Sequence, residues 1–61
     1  MKKRQREILR LVAAGMTDKE IAQRLHLAHS TVKSYLKALY AQHRLQNRAQ
    51  AAVWALQQGY L

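Results

Sequence analysis

The chain of 61 residues holds three carboxylates, Glu7, Asp18 and Glu20, three histidines, His26, His29 and His43, and no cysteine. A hydrolase or transferase needs a base beside a nucleophile or a working pair of carboxylates, and these residues are not spaced to provide either. Asp18 and Glu20 belong to a run Thr17-Asp18-Lys19-Glu20. That order is a capping box, which explains both acids as groups at a helix N-terminus. Glu7 falls in the first turn of a helix, facing Arg10 or solvent. His26 and His29 stand three apart across a turn without a third or fourth ligand, so neither a metal nor a cofactor is expected. No glycine-rich loop is present to cradle a phosphate. What remains is binding chemistry. Ser30, Lys33, Ser34 and Lys37 recur at steps of three, one and three. On a helix they share one face, with two hydroxyls, two cations and no acid. Small residues between the lysines let a backbone come close to base edges, while the lysines reach bases or flanking phosphates.

Such a face needs a helix whose other side is held by a core. Two glycines, no proline, and abundant Ala, Leu, Gln, Lys and Arg favour helix throughout. Ile8, Leu9, Leu11 and Val12 recur at helical spacing before Gly15, which suits the turn after a helix. The capping box opens a second helix with Ile21, Ala22 and Leu25 inward. A third runs from about His29 to His43, with Val32, Leu36, Leu39 and Tyr40 as its apolar stripe and Ser30, Lys33, Ser34, Lys37 and Ala41 opposite. Asn47, followed three residues later by Gln50, caps a fourth that ends near Gly59. No period-two pattern indicates a strand. The expectation is an all-α, four-helix domain over residues 1–61, its second and third helices forming a helix-turn-helix. In that motif the second helix of the pair lies in the DNA major groove.

Eleven Lys and Arg against three acids give a formal net charge of +8. At about 10 Å two like charges repel by roughly 0.4 kcal/mol in water, so a polyanionic partner is favoured, nucleic acid before an anionic membrane surface. A hydrophobic content of 49% argues against disorder. No apolar run reaches the roughly 20 residues of a membrane span, and the stretch after Met1-Lys2-Lys3-Arg4 is too interrupted for an export signal. A cytoplasmic location is expected. The alternatives are a cationic module on a membrane surface, and a helical adaptor binding acidic proteins or RNA. The first would divert the apolar stripe of the first helix from the core, and RNA readers display more stacking aromatics than Tyr35 alone.

The segments Arg4-Gln5-Arg6-Glu7-Ile8-Leu9, Leu11 through Gly15, Thr17-Asp18-Lys19-Glu20-Ile21-Ala22, Leu25, Thr31-Val32-Lys33, Leu39-Tyr40, Asn47-Arg48 and Ala51-Ala52-Val53 fall in register without gaps. Together they resemble the C-terminal DNA-binding domain of LuxR/GerE-type (NarL/FixJ) bacterial transcription regulators, over nearly the whole chain. The resemblance implies double-stranded DNA as partner, with Lys33, Ser34 and Lys37 facing bases and Ser30, Thr31 and Lys19 holding phosphates. It also implies a fourth helix available for a homodimer, and a receiver or ligand-sensing domain that this chain lacks. Three positions depart from the family pattern. Met1 and Lys2 replace a Leu-Thr pair, so that end of the first helix is expected to fray. Ala28 stands where a serine commonly caps the recognition helix, with Ser30 or His29 as substitutes. His43 and Arg44 replace a core leucine and a small residue or glycine. On the fourth helix, Ala49, Ala52, Val53, Leu56 and Tyr60 form one apolar face, and Ala51, Trp54 and Ala55 another. The second is assigned to dimerisation, its alanines permitting close helix approach, with Trp54 capping the core edge as the alternative.

Overall fold

A computed structural model describes residues 3–60. The expected fraying at Met1 and Lys2 lies outside them. Four helices follow in order: α1 (Lys3–Ala13), α2 (Asp18–Leu25), α3 (His29–Gln42) and α4 (Arg48–Gln57). There is no strand among the described residues. The fold is all-α, as the periodicity predicts. α1 packs mainly along α4 and touches α3 and α2, while α2 packs on α3.

Each start has a local cause. Thr17 Oγ1 accepts from the Glu20 amide at 3.2 Å, and the Glu20 carboxylate accepts from the Thr17 amide at 2.9 Å, completing the box at α2. At α4 the Asn47 side chain accepts from the Gln50 amide at 2.9 Å. The returning Gln50 bond reaches the Gln46 amide, at 2.7 Å, rather than that of Asn47. α3 starts at Ala28 with no side-chain cap, so neither His29 nor Ser30 takes over that function.

The helix ends share one device. Gly15, His26, Arg44 and Gly59 all have positive φ, between 56° and 88°. The amide after each one reaches back five residues: Met16 to Leu11, Leu27 to Ala22, Leu45 to Tyr40 and Tyr60 to Ala55, at 2.8–3.1 Å. These are Schellman closures, which satisfy end carbonyls and turn an apolar residue inward. Met16, Leu27, Leu45 and Tyr60 accordingly pack against the core. Two of the four use glycine, which adopts positive φ freely. His26 and Arg44 adopt it without that freedom.

The core comprises Ile8, Leu9, Val12, Ile21, Ala22, Val32, Leu36, Leu39, Ala51 and Ala55. Leu11, Leu25 and Tyr40 pack against it half-buried. Glu7 pairs with Arg4 at 3.4 Å rather than with Arg10, its side chain remaining 36% exposed to solvent, the other alternative of the expectation. One expectation is corrected here. The faces of α4 are largely exchanged: Ala51 and Ala55 are fully buried, whereas Val53 and Leu56 are 54% and 51% exposed and Ala49 is also exposed, and only Ala52 and Tyr60 of the expected inner face pack half-buried against the core. Burying the alanines lets α1 and α4 approach closely, as larger residues would not. Ala51 and Ala55 therefore present no surface to a second copy. Trp54 is half-buried beside them, its ring stacked on His43 at 4.3 Å and meeting the Tyr60 ring edge-on at 5.9 Å. His43 terminates α3, and its Nε2 is buried without a hydrogen-bond partner.

Candidate nucleic-acid interface

The third helix is a rod of 14 residues, about 21 Å long. Val32, Leu36 and Leu39 anchor its inner side, at 0–4% exposure. Ser30, Lys33, Ser34, Lys37 and Ala41 are all exposed. With a rotation of about 100° per residue, the exposed set lies opposite the anchored one, so the core fixes which way the lysines project. Thr31 is half-buried on the flank of this face. Lys19, in the first turn of α2, is exposed. The structure thus brings Ser30, Lys33, Ser34 and Lys37 together on one face, with Thr31 beside them and Lys19 on the neighbouring helix.

No acid stands among the exposed residues of α3, and the acids of α2 are already engaged. Glu20 is held by Thr17, whose backbone amide, aided by its hydroxyl, keeps the carboxyl below its ordinary value of 4.5 against a small opposing effect of burial. Asp18 receives Arg48 at 2.8 Å. The other guanidinium nitrogen of Arg48 donates to the Met16 carbonyl at 2.6 Å. One arginine at the start of α4 thereby holds the start of α2 and the turn before it, on the edge of a groove that Lys33, Lys37 and Tyr40 also line. The pair is partly exposed, and such pairs contribute little net stability; its effect is to tie the start of α4 to the start of α2 and the turn before it. This positioning function of Arg48 escapes a reading of the sequence, because its two partners lie 30 and 32 residues away. The one available signal is the Asn47-Arg48 pair at the head of a helix.

Among the described residues, no group of three or more His, Cys, Asp or Glu side chains could hold a metal ion. No helix is long and apolar enough to cross a membrane.

Comparison with known proteins agrees with this geometry. Residues 2–55 match the family described as bacterial regulatory proteins, luxR family. The nitrate/nitrite response regulator protein NarL of Escherichia coli K12 is 44% identical over 55 residues, covering 90% of this chain and 26% of that protein. The DNA-binding transcriptional activator DevR/DosR of Mycobacterium tuberculosis is 45% identical over 51 residues, 84% of this chain and 24% of that protein. The HTH-type transcriptional regulator AlkS of Alcanivorax borkumensis is 40% identical over 58 residues, 95% of this chain and 7% of that protein. The chain spans about a quarter of NarL and of DevR/DosR. With a helix-turn-helix whose outer helix is basic and acid-free, and with this match across almost its full length, the chain belongs to the luxR family of bacterial regulatory proteins, as a DNA-binding domain.

Proposed function

We propose that α3 enters the major groove of a specific duplex with Lys33, Ser34 and Lys37 toward the bases, and that Ser30, Thr31 and Lys19 hold flanking phosphates. The observation that carries this reading is the acid-free exposed face of α3 directly opposite its buried stripe. A groove about 12 Å wide accommodates the rod. The uncapped N-terminus of α3 supports it as well, because first-turn amides without a side-chain acceptor suit a phosphate oxygen. The controlling signal would reach this output domain from a receiver or ligand-sensing domain outside residues 1–61, in the cytoplasm. Titration of duplexes and of heparin at several salt concentrations is the test. A groove reader prefers some duplexes by at least about 10³-fold, while every polyanion weakens as salt rises. Equal affinity for all duplexes and heparin refutes base reading.

Two copies would bind inverted half-sites about one helical turn apart, through the face of α4 that is exposed rather than the one that is buried. Val53 and Leu56, with Ala49 and the accessible edges of Leu45 and Trp54, support this reading as an apolar strip in search of cover. Val53→Glu with Leu56→Glu is expected to abolish cooperative binding to a two-half-site duplex and leave single-site affinity within about twofold. Unchanged cooperativity rules out this interface.

A further inference from the structure

Away from α3 there is a second concentration of positive charge. Lys3, Arg6 and Arg10 line a cleft between the outer side of α1 and the segment that follows α4, together with Glu7, Gln58 and Tyr60. The three cations are exposed and lie at helical steps of three and four, spanning about 10 Å along the axis. Ion pairs among the described residues join Arg4 to Glu7 and Arg48 to Asp18, so they leave Lys3, Arg6 and Arg10 without an acid. Arg6 lies over the Tyr60 ring, 5.6 Å from its centroid. A guanidinium on an aromatic face keeps its outer donors available while its plane is packed.

The cleft and the α3 face point different ways. Ile8, Leu9 and Val12 are buried on the side of α1 opposite its cations, as Val32, Leu36 and Leu39 are on α3. Both basic faces are directed away from the core that the two helices share. A duplex lying along α3 is therefore expected to leave the α1 cleft uncovered.

The geometry points to a docking surface for an acidic segment of another protein, bound at the α1 cleft independently of α3. Charge complementarity selects the class of partner. Glu7 lies in the basic row between Arg6 and Arg10. A nucleic-acid strand, with a negative charge about every 3.4 Å, would place a phosphate against it. A peptide sets carboxylates only where cations wait and can offer a backbone amide to Glu7 or Gln58. Acids three and four residues apart on a helical segment would meet Lys3, Arg6 and Arg10 one for one. Tyr60 supplies an apolar floor for the methylenes between them.

The test uses the 61-residue chain and a fluorescein-labelled helical peptide carrying glutamates at alternating steps of three and four. Arg6→Gln/Arg10→Gln and Lys33→Gln/Lys37→Gln remove the same charge from exposed positions, so each controls for the other. The first pair is expected to weaken the peptide at least about tenfold and duplex binding less than about threefold, and the second pair the reverse. Peptide is expected to bind duplex-saturated protein as well as free protein. In the unmodified chain, peptide-induced NMR shifts should fall on α1 and Tyr60, a readout that no folding defect can mimic. Equal losses from both pairs, displacement of peptide by duplex, or shifts confined to α3 would overturn the proposal. So would tighter binding of a single-stranded oligothymidylate than of the peptide at the α1 cleft. Because the peptide measurements need no DNA, failure here is distinguishable from failure of the groove-reading assignment.

Discussion

Replacing Ala28 by serine should make the domain more stable without altering its contacts. Ala28 stands at the N-cap of α3 with φ −68° and ψ 148°, close to the −75° and 164° of Thr17, which does cap its helix. The backbone is therefore already shaped for a side-chain oxygen to share the Thr31 amide, the counterpart of the Glu20 amide in α2, with the Ala28 carbonyl that now accepts from it at 3.0 Å. Ala28 is exposed, so no packing is lost. A cap of this kind contributes about 1 kcal/mol. For a domain of 61 residues the unfolding entropy near the midpoint is about 0.13 kcal/mol per kelvin, which converts that gain into a rise in Tm of about 8 °C. Ala28→Asp adds a favourable carboxylate at the helix dipole and should stabilise at least as much. It also sets a negative charge where phosphate is expected, so it should weaken duplex binding far more than Ala28→Ser, whose neutral hydroxyl competes with phosphate for the Thr31 amide alone. Thermal unfolding followed by circular dichroism, with duplex titration of both variants, separates the effects. A Tm unchanged in both would refute the capping argument, and undiminished duplex binding by Ala28→Asp would refute the placement of phosphate at this end of α3.

Three further outcomes follow from the same structure. Arg44→Gly relieves a non-glycine residue at φ 56° and should raise stability by up to about 1 kcal/mol in thermal unfolding. Ala55→Leu forces a larger side chain between α1 and α4 at a fully buried position and should cost about 1–3 kcal/mol in urea titration, whereas Val53→Ser should stay within about 0.5 kcal/mol. The Glu20 carboxyl titrates below its ordinary value of 4.5 because the folded state donates hydrogen bonds to its charged form. Its contribution is thus complete above about pH 4.5 and fades as pH falls through the depressed folded value; Glu20→Gln should flatten the acid limb of a Tm-versus-pH curve.

Much of the architecture was legible because local chemistry and periodicity agree. Thr17 and Glu20 announce α2, Gly15 and Gly59 close α1 and α4, and the stripe Val32, Leu36, Leu39 orients α3. The orientation of α4 was not legible. Its alanines make both faces nearly equal in apolar character, so the choice rests on how closely α1 can approach, and that is a property of the packed pair. The positive φ of His26 was not marked by any glycine, and at Arg44 the one sign was the small residue or glycine that the family pattern has there; in both turns Leu27 and Leu45 anchor the chain beyond. Arg48 is similar, with partners distant in sequence.

The central claim is that Lys33 and Lys37 carry sequence discrimination. Duplexes selected from a random pool by the unmodified chain, then titrated alongside scrambled duplexes with Lys33→Ala and Lys37→Ala, test it most directly. Each replacement is expected to cost about 1–3 kcal/mol on the selected duplex and to narrow its advantage over the scrambled one. If the double replacement leaves both the affinity and the preference intact, α3 does not read the groove.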